Sequence, residues 1–526
     1  MCKKSIYKKN FLLCTIAGTL IFSHCGSTYA NTQTPKIING FKVDKGEKKT
    51  FNNVFIRGNG PTTGTVTDPA VSATDKAIIT ITDSTIHSES APLSASKGGR
   101  IHVKGINTNS IYQGLQVKNG IIEVEDSTIT LQRAGAGTGI LIYETPNRDL
   151  KGDEKVVNKV SLINSKILVK EGVGIRGPYD SKSVAEVYLQ NSEILADVLL
   201  RNKTKRKYYD EDTLPVSLKL TADNSVLEGR ARTLKVNTTV FTLSNNSKWY
   251  LKVSEEDIDT DFSTYNYDLS DIKHRALSTV SELNLNNSSI IFRAPFALAK
   301  EQYQTLSVGR TAEVYKSKEN MVPTVATAYR ATGHANIYFN VEWSDGLPKE
   351  KQKADRLLVH GNVSGTTIIH VNNLAQGEPI EAEDSTPLNK RGLSLIQVSG
   401  NTDEGAFRLA NGYTTMEGLP YKYVLNAYGP TSSRGKADSA QNLLESVSQE
   451  SEENTLKDYT HYVIKGSTIE GIKNENAQNS LKENKDFWDF RLQKETLDDE
   501  GKILALVPQV ASYLVMPNAL FSAGFA

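Results

Sequence analysis

One short unit constrains this chain more than any other feature: apolar-x-[Asn/Asp]-Ser-x-apolar, repeated between residues 78 and 292. It stands at residues 81–86 (ITDSTI), 124–129 (VEDSTI), 162–167 (LINSKI), 189–194 (LQNSEI) and 285–290 (LNNSSI), with looser copies at Asn224-Ser225 and Asn246-Ser247. Around each copy apolar residues alternate, which puts Ile79 and Ile81, or Leu218 and Leu220, on one face of a strand. Asn, Asp and Ser hydrogen-bond their own backbone and tolerate tight turns, so each copy reads as a corner. A strand-corner-strand unit of about 20 to 45 residues cannot bury its apolar face alone and must stack on its neighbours. The expected fold is therefore all-β: a right-handed parallel β-helix, or solenoid, with a C-terminal cap. Dense leucine spacing and helical stretches, which a leucine-rich repeat needs, are lacking, and a β-sandwich would show hairpin signals instead of recurrent corners. Asp83, Asp126 and Asn164 occupy equivalent corner positions and are expected to form a ladder.

The N-terminus carries a second strong signal. Lys3, Lys4, Lys8 and Lys9 precede an apolar stretch at residues 11–22, and small residues lead to a plausible cleavage after Ala30. That stretch is shorter than the roughly 20 residues a membrane-spanning helix requires. The expectation is a secretion signal at residues 1–30. Lipidation at Cys25 is disfavoured by the bulky His24 before it. All three cysteines, Cys2, Cys14 and Cys25, lie within this leader, so disulfides are not expected to hold the mature chain together. With 61 basic and 60 acidic residues, the chain offers no electrostatic case for nucleic acid.

Two polar excursions interrupt the repeat, at residues 201–212 (RNKTKRKYYDED) and 254–271 (SEEDIDTDFSTYNYDLSD). Loops on a rigid scaffold often carry binding function, which makes Lys203, Lys205, Arg206, Lys207, Tyr208, Tyr209, Tyr265 and Tyr267 candidate contact residues. A solvated charged face is the plainer reading of either run. The second run lacks the spacing and central glycine of an EF-hand. Toward the C-terminus, residues 355–371 read as strand, glycine-containing turn and strand, and further strands are expected at 391–398, 421–428 and 486–493. In the last, alternation places Trp488, Phe490 and Leu492 inward as a cap core, and Asp489 and Arg491 outward.

Five segments carry a family resemblance: ADRLLVHGNVSGTTIIHV (354–371), GLSLIQVSG (392–400), YKYVLNAY (421–428), WDFRLQ (488–493) and VPQVASYLVMPNALF (507–521). Together and in this order they resemble the pertactin-like type V autotransporters of Gram-negative bacteria. The leader and the NSSI-type corners look most like those of Bartonella, including inducible and angiogenic-factor passengers. The resemblance implies a β-helix passenger at 31–300, a C-terminal β-helix and autochaperone-like region at 301–495, and a linker at 496–526. That linker would lead towards a translocator β-barrel, whose amphipathic strands of about ten residues do not occur in this sequence. It further implies a virulence factor secreted or displayed at the cell surface through the outer membrane, or halted in the periplasm if no barrel follows. Its partner would be a host cell-surface receptor or matrix protein. A pro-angiogenic effector engaging an endothelial receptor is the first expectation, and an adhesin or autoaggregation factor without signalling is the second.

Catalysis finds less support. Neither GDSG nor a G-x-S-x-G elbow is present, and the Asp-Ser pairs are accounted for by corners that elsewhere read Asn-Ser. HExxH is absent; His360 and His370 fall on strands expected to be neighbours, more plausibly as a surface pair than as metal ligands. A carboxylate groove of the β-helical hydrolase or lyase kind remains the enzyme alternative. No catalytic residue, metal or cofactor is expected. Arg57-Gly58-Asn59 and Arg176-Gly177-Pro178 each miss an Arg-Gly-Asp triplet by one residue.

Overall fold

Strand-forming alternation and turn-forming corners meet in one solution, a parallel β-helix that starts at Lys36. The structure, a computed structural model, describes residues 34–58, 68–132, 137–143, 156–177, 184–202, 217–233, 238–255, 258–260, 266–268, 272–295, 302–309, 327–343, 352–374, 386–416, 419–444, 486–498 and 503–507. The expected leader and its cleavage point at Ala30 lie outside these residues, as does most of the expected linker.

Each coil contributes strands to three faces. The first face is an eleven-stranded sheet running from Lys48–Asn52 to Asn362–Ser364, with every pairing parallel. After each corner the chain enters the second face, for example at Thr85–Ser88, Thr128–Leu131, Lys166–Val169 and Lys248–Leu251. A bend then leads to the third face, which includes Gln113–Lys118, Thr138–Ile142 and Val173–Arg176. Glu193–Asn202 crosses that bend without a break, pairing with Lys166–Val169 at one end and with Val173–Arg176 at the other. The third face then passes to a separate sheet beginning at Leu277–Val280, because the amides of Ala231 and Thr233 donate to the hydroxyls of Ser278 and Thr279 instead of to carbonyls.

Exact register converts the alternation into columns. On the first face Ile79, Ile101, Ile122, Val160, Val187, Leu220, Phe241, Leu283 and Tyr329 are stacked in order, all buried. On the second, Ile129, Ile167, Ile194, Leu227, Trp249, Ile290, Ile337 and Ile369 do the same. At about 25 cal/mol per Å² of apolar surface, such columns are the main stabilising term, and each coil gains it only through its neighbours. The core broadens toward the C-terminus: Gly139 leaves no room for a Cβ, which would lie 2.8 Å from Ile167 Cγ2, whereas Phe241, Trp249, Phe339 and Phe407 fill the later coils.

The corners follow one rule. Asp83, Asp126, Asn164, Asn191, Asn224 and Asn287 all have positive φ, near 45–49°, the left-handed region that Asn and Asp tolerate best after glycine. Four of these side chains form a ladder: Asn164 Nδ2 donates to Asp126 Oδ1 (3.0 Å), Asn191 to Asn164 (3.2 Å) and Asn224 to Asn191 (2.7 Å); Asp83, also expected in it, is separated from Asp126 by the coil of Gly105. The serine that follows is buried and works twice. Its hydroxyl donates to the carbonyl two residues back, as Ser192 does to Gln190 O (2.7 Å), and from Ser84 to Ser225 it also accepts the amide at the equivalent place on the preceding coil, as Ser192 does from Ser165 N (3.0 Å). Gly105-Ile106, with Gly105 at φ 64°, occupies the same place between Ser84 and Ser127 without matching the motif. Asn191→Val should cost about 1–2 kcal/mol through backbone strain alone. Asn191→Gly should cost less, because only the ladder is lost; urea midpoints of the two variants measure the difference.

At the C-terminal end the sheet reverses character. Leu393–Val398 pairs antiparallel with Trp488–Lys494, which pairs antiparallel with Lys422–Tyr428. The later strand is thus inserted between two earlier ones and closes the helix. Residues 355–371 are not two strands about a turn: Arg356–His360, Asn362–Ser364 and Thr367–Asn373 lie one on each face.

Candidate functional site

The residues singled out from sequence are distributed unevenly. Trp488, Phe490 and Leu492 are buried in the main core, as expected, with the Phe490 ring edge-on to Phe407 at 4.9 Å. Lys203, Lys205, Arg206, Lys207, Tyr208, Tyr209 and Tyr265 lie outside the described residues. Tyr267 belongs to a short antiparallel pair, Ile258–Thr260 with Asn266–Asp268, which joins neither the first nor the second face. His360 and His370 are not on neighbouring strands. His360 ends a strand of the third face, whereas His370 is on the second, stacked on Tyr338 at 4.1 Å, with Nε2 3.1 Å from Asn336 Oδ1. Successive strands of a coil turn onto different faces, so proximity in sequence does not bring them together. Among the described residues no cluster of three or more His, Cys, Asp or Glu is arranged to hold a metal ion.

Asp489 and Arg491 are the main correction. Both are buried, at 0% and 2% exposure, because residues 386–392 and 436–444 pack over the far side of the terminal sheet. Arg491 Nη1 donates to Asp489 Oδ2 at 2.7 Å, Nε to Arg391 O at 2.9 Å and Nη2 to Gly392 O at 2.9 Å. Ser394 Oγ donates to the other carboxylate oxygen at 2.5 Å. Gln493 Nε2 donates to Leu388 O (2.6 Å) and Arg391 O (2.7 Å), and its Oε1 accepts from Tyr428 and Asn426. These bonds tie the covering segment to the strand; nothing in them points to chemistry.

Asp355 is the second buried acid. One oxygen accepts Gln304 N (2.8 Å), and the other accepts Asn340 N (2.8 Å) and Nδ2 (2.9 Å). Burial nevertheless pushes its pKa up to about 7, outweighing those donors and the nearby Arg356. A carboxyl whose folded pKa exceeds its unfolded value binds more protons when folded, so stability should fall as pH rises from the ordinary carboxylate range to about 7 and then level off. Asp355→Asn, though less stable throughout, should show a flatter dependence when melting temperatures are compared between pH 5 and 8.

A groove of about 610 Å³ runs along the bend between the second and third faces. Its floor is an outward column in which Thr130, Leu168, Leu195 and Glu228 are in register on four successive coils. Leu168 and Leu195 are half-buried and point away from the core. Gln132, Lys170, Glu228 and Lys252 form the rim. Each charge there has a partner: Lys252 Nζ is 3.2 Å from the buried Asp197, Glu228 is 2.6 Å from Arg293, and Lys170 is 4.0 Å from Glu171. Asp197 also accepts Glu255 N with both oxygens, so Lys252 is held by a fixed anion. Beyond Glu228 the column continues to Tyr250, with the Arg293 guanidinium 4.4 Å over its ring. The sequence signal is a pair of consecutive apolar residues after a corner: Ile-Leu at 167–168 and 194–195, where earlier coils have Ile-His and Ile-Thr. An apolar residue in a position that alternation reserves for solvent marks a surface with another purpose. No protein-family model matches the chain, and no curated protein matches it in sequence.

Proposed function

We propose that this chain is the passenger of a type V autotransporter, exported across the inner membrane and displayed or released at the cell surface, where it binds host cells. The observation that carries this reading is the uninterrupted stack of coils, eleven strands deep on its first face, closed by an antiparallel sheet within the region where the family resemblance expects an autochaperone-like cap. A rigid array of this type presents a long continuous surface, suited to binding extended partners. Its hydrophobic columns face inward, and the grooved bend leaves a separate outward surface for recognition. The leader-like N-terminus and the absence of cysteine after Cys25 fit a chain threaded through membranes before folding.

Two kinds of binder are separable by experiment. Purified chain applied to cultured endothelial cells should bind saturably. Growth or receptor phosphorylation would assign a pro-angiogenic effector, and attachment of chain-coated beads without signalling would assign an adhesin. Absence of any saturable binding to cells or matrix would refute the host-binding reading.

A further inference from the structure

We propose that the groove between the second and third faces binds a neutral glycan chain laid along the helix axis. The proposal rests on the binding reading above and names its ligand class. The floor is a strip, not a pocket: Leu168 and Leu195 are in register on adjacent coils, flanked by Thr130 and Glu228 on the next coils out. Adjacent strands lie about 4.8 Å apart, comparable with the length of one pyranose ring. A linear oligosaccharide extended along the axis can therefore present one ring per coil.

The chemistry of floor and rim selects this ligand over others. A pyranose ring has an apolar C–H face, which a flat aliphatic strip accepts without desolvating a polar group. Its hydroxyls both donate and accept, and they need partners along the edges. Gln132 offers both functions, Glu228 accepts, and Lys170 and Lys252 donate. Polyanions are a poorer fit because the rim cations are already compensated by Asp197 and Glu171, and Glu228 contributes a negative charge of its own, paired with Arg293. Such a rim has little field with which to attract a sulfated polymer or an acidic peptide. Two leucines make too small an apolar surface for a lipid chain. The volume, about 610 Å³, falls within the range of ligand clefts.

Calorimetric titration of the purified chain with neutral oligosaccharides of graded length tests the proposal. Affinity should rise with length until the groove is spanned, change little with salt, and fall at least about tenfold in Leu195→Ala. Leu195 faces outward, so the variant should keep its circular dichroism and melting profile; Gln132→Ala, on the rim, is the companion variant if it does not. The proposal is overturned if no neutral oligosaccharide binds, if only a heparin oligosaccharide or an acidic peptide binds in a salt-dependent way, or if both variants bind like the parent. Endothelial binding that survives both substitutions removes the glycan site alone, whereas loss of all cell binding by the parent chain removes the broader reading.

Discussion

Arg491→Ala should destabilise the C-terminal cap by about 3–5 kcal/mol, the usual cost of removing one partner from a buried ion pair. The loss has two parts. Asp489, at 0% exposure, would lose its guanidinium partner and keep the Ser394 hydroxyl as a donor, and the carbonyls of Arg391 and Gly392 would lose the donors that tie down the covering segment. Hydrogen exchange should show the effect locally. Amides of Lys422–Tyr428 and Trp488–Lys494 should lose protection, while those of Ile78–Thr82 keep theirs, because coils in a solenoid communicate mainly through neighbours. The double variant Asp489→Leu/Arg491→Met should regain much of the loss, since an apolar pair of similar size removes the stranded charge. Unchanged protection in Arg491→Ala would mean that the pair contributes nothing to closure.

Trp488→Ala should have an effect of similar size, about 3–5 kcal/mol, with a different kinetic signature. Trp488 is buried, lies against Gly429, where an added Cβ would come within 2.3 Å of the indole, and stacks on Phe490 at 6.2 Å. Its strand is the piece that joins Leu393–Val398 to Lys422–Tyr428. If folding starts from this closed end and passes from coil to coil, Trp488→Ala should slow refolding, whereas Ile81→Ala, deep in an early coil, should mainly speed unfolding. Stopped-flow chevrons of the two variants decide it. Equal refolding rates would place the nucleus elsewhere.

The parts of the fold that were legible in the sequence share a local cause. A corner needs a residue at positive φ followed by a small buried hydroxyl, and Asn-Ser or Asp-Ser satisfies both within two positions. Gly105-Ile106 meets the backbone requirement differently, so its coil carries the geometry without the motif. Alternation likewise marked Ile79, Ile81, Leu218 and Leu220 for the core, and the columns formed there.

Other features depend on what packs over a strand, which period-two alternation does not report. Asp489 and Arg491 read as solvent-facing because their alternation is that of a sheet with one wet side. The chain near residue 391, a hundred positions earlier, covers that side and turns the pair into an internal tie. His360 and His370 read as partners because one short turn separates them, yet the coil sends them to different faces. Leu168 and Leu195 each follow an inward isoleucine directly, and stacking places them outside the core, in register on the floor of the groove. By itself, then, the sequence determined the repeating corner, the alternation and hence the β-helix, because those follow from backbone conformation and side-chain period over a few residues. The tertiary structure alone decided which outward residues are covered, which meet, and where a surface is left open. Those outcomes depend on register between coils and on segments distant in sequence.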